Sequence, residues 1–130
     1  MFVLLNYVDL IGVPYIKGGR DPSKGLDCYG LCIEIYRRLG KILPEFHSSE
    51  ENDIIHTTIL SAKQLFERFE DPVSYSLVPF IIRPPFVTHI GVVLENKDSF
   101  IHILRKKCCV IERLSDPFWN KRMQGFFTYE

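Results

Sequence analysis

The stretch GGRDPSKGLDCYGLC, residues 18 to 32, most constrains how this chain folds. Its first half is rich in Gly, Pro, Asp and Ser, which predicts an irregular loop. From Cys28 to Leu39 apolar residues recur at intervals of three and four, which predicts a helix. Asp27 suits the N-cap and Gly40 the position after the last turn. Cys28 therefore falls at a helix N-terminus, where partial positive charge favours a thiolate.

The other segments predict helices first and strands afterwards. Residues 2 to 11 have helical spacing, and a further helix is predicted from Thr57 to Phe69, where an Asp-Pro pair stops it. Residues 12 to 27 and the segment KILPEFHSSEEND are predicted loops. The later sequence consists of short β-branched or aromatic runs, namely YSLVPFII, VTHIGVVL, SFIHIL, CCVIERL and MQGFFTY. This order predicts an α+β fold with an antiparallel sheet.

Composition limits the possible functions. The chain has 130 residues, of which 46% are hydrophobic and 25% charged, as expected for one globular domain spanning residues 1–130. Its 16 basic and 16 acidic residues cancel, so no overall field favours nucleic acid or an anionic membrane. The N-terminal run has no basic leader and is broken by Asn6 and Asp9. We therefore expect no signal peptide, no membrane span and a protein that is cytoplasmic as synthesised.

The four cysteines do not form a metal-binding pattern. Cys28 and Cys32 are one helical turn apart, whereas Cys108 and Cys109 are neighbours in a predicted strand and point to opposite faces. No Cys-x-x-Cys motif is present, so we expect no metal site and no other cofactor. Disulfides are also not expected in a reducing cytosol, which leaves four free thiols.

Two of the four histidines lie where they can exchange a proton with the Cys28 thiol. His47 and His56 lie in or beside a polar loop and are expected at the surface. His89 and His102 lie in consecutive predicted strands joined by ENKD, and a loop of two or four residues puts both on one sheet face. A four-residue loop sets Gly91 opposite His102 and leaves room for the imidazole.

A cysteine at a helix start, a histidine on a strand and a second imidazole on the next strand form a nucleophile, a base and an orienting group. A structural role for strand histidines is the alternative reading.

The segments GVPYIKGGRDPSKGLDCYGLC and THIGVVLENKDSFIHI resemble the NlpC-type cell-wall cysteine peptidases, which have a reduced papain-like fold. The resemblance covers the Pro-Tyr, Gly-Gly, Asp-Cys-x-Gly-Leu and His-x-Gly elements in order. It implies N-terminal helices packed on an antiparallel sheet, with Cys28 as nucleophile, His89 as general base and acid, and His102 as the third polar residue. Tyr15 matches a tyrosine that lines the site, so its hydroxyl and the Cys28 backbone N–H are candidate oxyanion donors.

The same resemblance implies a substrate, a peptidoglycan stem peptide cut between D-glutamate and the diamino acid. Arg20 is a candidate partner for a stem-peptide carboxylate. Two stretches, GGRDPSKGLDCYGLCIEIYRRLGKILPEF and the later SDPFWNKRMQGFFTY, are similar to small members associated with phage tails, which implies tail or tip proteins as partners and a virion or tail-like particle as a location. The chain departs from the family at Tyr29, where many relatives have Ser, and in YSLVPFIIRPPFVTH, which replaces a Gly-Asp-Leu segment.

Two other functions stay open from the sequence. The first is a structural tail component with little activity, in which aromatic residues of PFWNKRMQGFF serve as contacts. The second is a thiol acyltransferase or an amidase acting on a different amide, which would use the same residues.

Overall fold

The computed structural model describes residues 5–46 and 49–129. It contains a small hairpin, two longer helices and one large sheet. The elements in chain order are β1 (Arg20–Asp21), β2 (Gly25–Leu26), α1 (Cys28–Arg38), α2 (Asn52–Ala62), β3 (Glu67–Phe69), β4 (Leu77–Arg83), β5 (Phe86–Val93), β6 (Ser99–Ile103), β7 (Cys109–Arg113), α3 (Pro117–Asn120) and β8 (Phe126–Thr128). The predicted α+β class is confirmed.

The large sheet has six antiparallel strands in the order β3-β8-β4-β5-β6-β7. The helix α1 packs against β5 and β6, because Leu31 and Ile35 repeat on one helix face and are fully buried with Ile101. Each such side chain stabilises the fold by about 1.5–3 kcal/mol on burial. A second cluster on the other sheet face contains Phe80, Phe100 and Trp119 among others. The central strands are therefore covered on both faces.

The hairpin between β5 and β6 has the four-residue arrangement. Val92 pairs with Ile101, Val93 pairs with Phe100, and the N–H of Leu94 donates to Ser99 O, which leaves residues 95–98 as the loop. The next position along this register brings Gly91 against His102. A Cβ on Gly91 would lie 3.1 Å from the Cβ of His102, so the glycine leaves the space that the imidazole needs.

Three of the predicted elements need correction. Of the helix predicted over residues 2–11, residues 2–4 lie outside the described part, and the rest holds only one 3-10 turn, Val8–Leu10. The Asn6 side chain accepts from the N–H of Val8, which competes with helix formation. The loop predicted over residues 12–27 contains the β1–β2 hairpin, turned by an Asp21 carboxylate that accepts from the Ser23 N–H.

The helix predicted from Thr57 to Phe69 is shifted toward the N-terminus. It begins at Asn52, ends at Ala62 and continues as a 3-10 turn, Lys63–Leu65. The last predicted residues form β3 instead, because this segment pairs with the distant strand β8. A local pattern does not contain that pairing, and tertiary context overrides the weak helix propensity. No helix in the described ranges combines the length and apolar character that crossing a membrane requires.

Candidate active site

Cys28 is the first residue of α1, and Asp27 stands at its N-cap. The Asp27 carboxylate accepts from the N–H of Gly30 at 2.6 Å, which satisfies one of the unpaired donors of the first turn. The same carboxylate oxygen lies 2.7 Å from Nη1 of Arg20, whose Nε is 3.1 Å from Glu45. The hairpin and the helix start are thus joined by one network of charges.

Gly30 allows this close approach. A Cβ at Gly30 would lie 2.1 Å from the carbonyl oxygen of Gly19 and 3.0 Å from Nη1 of Arg20. The obstruction is backbone, which cannot move aside as a flexible side chain can. The glycine of the Asp-Cys-x-Gly-Leu element is therefore required by packing of the loop on the helix.

The Cys28 thiol is more strongly protonated than its helix position suggests. Burial, followed by the charge of Asp27, raises the pKa of Cys28 to about 12. The backbone N–H groups of Ile90 and Tyr29 lower this pKa by a smaller amount, which places the sulfur against β5 beside His89. Burial and the Asp27 charge therefore oppose the thiolate that the helix position favours.

His89 and His102 lie next to each other inside the protein. Nε2 of His89 is 2.8 Å from Nδ1 of His102, and Nε2 of His102 is 2.6 Å from Oε2 of Glu112. Glu112 was not identified from the sequence. Its only signal is a charged residue within the apolar strand CVIER, and the register of β7 on β6 decides which histidine it meets.

Aromatic side chains surround the two imidazoles. The Trp119 ring is 4.8 Å from His102 and 6.0 Å from His89, and the Phe100 ring is 4.5 Å from His102. Burial, and then the neighbouring His102, lower the pKa of His89 well below its ordinary value. Burial also lowers the pKa of His102, although the hydrogen bond and the charge of Glu112 oppose that shift. Burial therefore favours the neutral form of both rings.

A cavity of about 140 Å³ is lined by both Cys28 and His89. Cys28, Tyr15 and His89 are among its lining residues, which include the apolar side of α2. Within the described residues no hydrogen bond joins the Cys28 thiol to His89. Nδ1 of His89 has no hydrogen-bond partner among the described residues. Every buried side-chain N or O in those residues has a partner, so Nδ1 must border open space. That open space is the cavity shared with Cys28.

The remaining candidate residues differ in how they meet the cavity. Tyr15 lines it, and burial is the first cause of a raised Tyr15 pKa. Arg20 also borders it, but its guanidinium is held by Asp27 and Glu45. Its predicted contact with a substrate carboxylate stays a prediction. Its ion pairs with Asp27 and Glu45 give Arg20 a structural role, since they hold the loop that precedes Cys28.

Of the two histidines expected at the surface, His47 lies outside the described residues. His56 is half-buried instead, because its Nδ1 accepts from the N–H of Val87 at 2.8 Å. This bond fastens α2 to the start of β5. The four cysteines are free thiols, with Cys32 and Cys109 fully buried and Cys108 exposed.

A family model described as "NlpC/P60 family" matches residues 12–128. The chain belongs to the NlpC/P60 family. The predicted resemblance and the predicted papain-like fold are thereby confirmed, and the match includes both the Cys28 helix and the two histidine strands.

Two curated proteins resemble this NlpC/P60 chain. The gamma-DL-glutamyl hydrolase of Bacillus subtilis (strain 168) is 28% identical over 132 residues, covering 92% of this chain and 27% of that protein. The probable endopeptidase YafL of Escherichia coli (strain K12) is 32% identical over 119 residues, covering 88% and 44%. The chain thus spans less than half the length of either curated relative.

Solved NlpC/P60 structures share the fold. An NLP/P60 family protein similar to a lipoprotein, from Staphylococcus aureus subsp. aureus Mu50, superposes with a TM-score of 0.66 at 22% identity, covering 92% of this chain and 37% of that one. The NlpC/p60 domain of the peptidoglycan hydrolase SagA gives 0.62 at 18% identity and covers 92% and 89%. At these identities the likeness shows the fold alone.

The two departures from the NlpC/P60 pattern, Tyr29 and the segment YSLVPFIIRPPFVTH, both lie near the cavity. The Tyr29 hydroxyl donates to the carbonyl of Pro44 at 2.6 Å and so holds the segment after α1 near the cavity. YSLVPFIIRPPFVTH forms β4 and the start of β5, and its Leu77 and Pro79 line the cavity. The edge of the cleft is therefore built from apolar strand residues.

Proposed function

We propose that this chain is a single cysteine peptidase domain in which Cys28 is the nucleophile and His89 the general base and acid. One observation carries the proposal. Cys28 and the unpartnered Nδ1 of His89 border the same cavity, while the other nitrogen of His89 is held by His102. The names of the two curated relatives, a hydrolase and a probable endopeptidase, support it.

The reaction begins from a neutral pair. As Sγ of Cys28 attacks the amide carbonyl, its proton passes to Nδ1 of His89, and a C–S bond forms. The resulting imidazolium donates that proton to the leaving nitrogen as the C–N bond breaks, which leaves a thioester. His89 then takes a proton from water, hydroxide adds to the thioester carbonyl, and the sulfur leaves with the proton returned to it.

The oxyanion of each tetrahedral intermediate needs donors. The backbone N–H of Cys28 lies at the start of α1, where the helix dipole favours negative charge. The Tyr15 hydroxyl lines the same cavity. We assign these two groups as the oxyanion donors, and each such donor is worth about 3–4 kcal/mol of transition-state stabilisation in a preorganised site.

We propose a γ-glutamyl amide of a peptidoglycan stem peptide as substrate, cut between D-glutamate and the diamino acid. A γ-linked glutamate retains a free α-carboxylate, so a site for it needs nearby cations. Lys17 and Arg105 line the cavity beside Tyr15. Arg20 is held by two carboxylates, and Arg105 has one longer ion pair, with Glu50 at 3.7 Å, so we propose Lys17 and Arg105 ahead of Arg20 for recognition of the substrate carboxylate. The name of the Bacillus subtilis relative supports a glutamyl substrate.

A second candidate is an amidase or acyltransferase acting on an apolar acyl amide. The side of the cavity formed by Ile55, Ile59 and Phe66 is apolar, which favours such a group. A purely structural role is less well supported, since Trp119, Phe126 and Phe127 of the C-terminal segment are buried and Phe118 alone among these four is exposed. A role within a phage tail stays a prediction.

The substrate is tested by incubating the protein with purified muropeptides and reading the products by mass spectrometry. We expect new D-glutamate C-termini, and their loss in Cys28→Ala. Cys32→Ala is the matched control for thiol removal one turn further along α1. Intact muropeptides beside turnover of a fatty-acyl amide would favour the second candidate and overturn the peptidase assignment.

The roles of the two histidines are tested by comparing His89→Gln with His102→Gln on the same muropeptide, with folding checked by circular dichroism. We expect His89→Gln to fall to background, because it removes the group to which we assign the thiol proton. His102→Gln should retain part of the rate, since an amide can still hydrogen bond to His89. An active His89 variant beside a dead His102 variant would reverse the assignment.

A further inference from the structure

Glu112 forms the outer end of a chain of three hydrogen-bonded side chains. In β7, Val110 is the register partner of His102, so Glu112, two residues on, lies on the same sheet face and diagonally across from it. The His102 side chain is 0% exposed, whereas that of Glu112 is 40% exposed. Both ring nitrogens of His102 are therefore engaged, one by Glu112 and the other by His89.

The proton positions along this chain follow from counting donors. An ionised carboxylate can only accept, so Nε2 of His102 must carry a hydrogen. A neutral His102 then presents an unprotonated Nδ1, which accepts from Nε2–H of His89. A neutral His89 that carries its hydrogen on Nε2 has an unprotonated Nδ1, the nitrogen that borders the cavity.

The opposite arrangement would be unproductive. Two neutral imidazoles in contact can equally place the hydrogens the other way round, with Nε2 of His89 as acceptor. Nδ1 of His89 would then carry the hydrogen and could not take one from a thiol. Only the first arrangement places a hydrogen on Nε2 of His102, and the Glu112 carboxylate accepts that hydrogen.

We propose that Glu112 is a positioning residue that, through His102, keeps Nδ1 of His89 unprotonated and facing the Cys28 cavity. The proposal rests on the proposed function only in taking Cys28 as nucleophile and His89 as its base. Glu112 itself is not among the residues that line the cavity, so it acts without touching substrate. Within residues 5–46 and 49–129, no group of three or more His, Cys, Asp or Glu side chains is arranged to hold a metal ion.

The tautomers are measurable without any substrate. Long-range ¹H–¹⁵N correlation spectra of histidine-labelled protein at pH 7.5 distinguish protonated from unprotonated ring nitrogens. In the wild type we expect hydrogen on Nε2 of both His89 and His102. Glu112→Leu should shift the population toward hydrogen on Nδ1 of His89, and Glu112→Gln, which still offers an amide oxygen, should show a smaller shift.

Kinetics give the second readout. On the muropeptide substrate, Glu112→Leu should lower kcat by about 10- to 100-fold with little change in KM, and Glu112→Gln should fall in between. Glu67→Leu, an exposed glutamate on the opposite edge strand β3, is the matched control and should change neither quantity.

Two results would overturn the proposal: hydrogen on Nδ1 of His89 in the wild type, or wild-type tautomers and kcat in Glu112→Leu. If the tautomers respond to Glu112 as expected while no muropeptide is cleaved, the positioning role stands and the proposed substrate fails. Thermal unfolding of each variant separates loss of fold from loss of orientation.

Discussion

Alkylation by iodoacetamide reports the protonation state of Cys28, because the thiolate is the reacting form. With a pKa of about 12, about one Cys28 in ten thousand is a thiolate at pH 8. Labelling of Cys28 should therefore rise about tenfold for each pH unit between pH 7 and 10. The exposed Cys108 should be labelled first, and the fully buried Cys32 and Cys109 last. A helix-activated thiolate predicts instead that Cys28 is labelled before Cys108.

Asp27→Asn tests the second cause of the raised Cys28 pKa, which after burial is the charge of Asp27. The amide can still accept from the N–H of Gly30, but the negative charge beside Cys28 is lost, while Arg20, which lowers the Cys28 pKa, remains. The labelling profile of Cys28 should shift to lower pH. Loss of the charged hydrogen bond to Arg20 should cost about 1.5–3 kcal/mol of unfolding free energy. Asp27→Ala should cost about 1 kcal/mol more, because the cap is also lost.

The assay is peptide-resolved mass spectrometry of labelling rates from pH 6 to 10, with urea unfolding for stability. Asp21→Asn removes one charge from the same loop and is the control, since the Asp21 carboxylate bonds to Ser23 rather than facing Cys28. Rapid, pH-independent labelling of Cys28 at pH 6, faster than Cys108, would refute the reasoning. It would mean that a thiolate–imidazolium pair exists despite burial.

Further expectations concern two glycines and the histidine pair. Gly30→Ala should lower the unfolding free energy by about 1–3 kcal/mol despite better helix propensity, because its Cβ would meet Gly19 O at 2.1 Å; an unchanged urea midpoint would contradict this. Gly91→Ala should displace His102 and lower kcat about tenfold with the fold intact, and an unchanged kcat would contradict the close packing. Both buried histidines have lowered pKa values in the folded state, so the unfolded chain binds more protons below its ordinary pKa of 6.5. The contribution of the two histidines to the unfolding free energy is therefore complete above about pH 6.5. Below that pH the unfolding free energy should fall by up to about 1.4 kcal/mol per pH unit for each histidine. His89→Gln should reduce this slope.

Much of the local structure could be predicted because its causes are local. The helix from Cys28 follows from a cap, a 3.6-residue repeat and a terminating glycine, all within a few residues of each other. Gly40 has a φ of +81°, the left-handed conformation that glycine adopts most readily. The strand runs and the ENKD loop restricted His89 and His102 to a few registers, one of which the structure adopts.

Local patterns failed where a distant partner competes. The residues from Glu67 to Phe69 have no local reason to leave a helix, and they do so because β8 offers backbone partners. The start of α2 at Asn52 carried no side-chain cap that would have marked it. Arg20 looked available to a substrate, since nothing nearby in the sequence shows that Glu45 reaches it.

The sequence by itself determined the family, the helix that presents Cys28 and the pairing of two histidine strands. Only the tertiary structure decided the electrostatics of the site: that Trp119 and Phe100 surround the imidazoles, that burial raises the pKa of the Cys28 thiol, and that Glu112 ends the hydrogen-bond chain. The physical reason is the range of each effect. Caps, turns and periodicity depend on neighbours along the chain, whereas desolvation and proton position depend on side chains that only folding brings together.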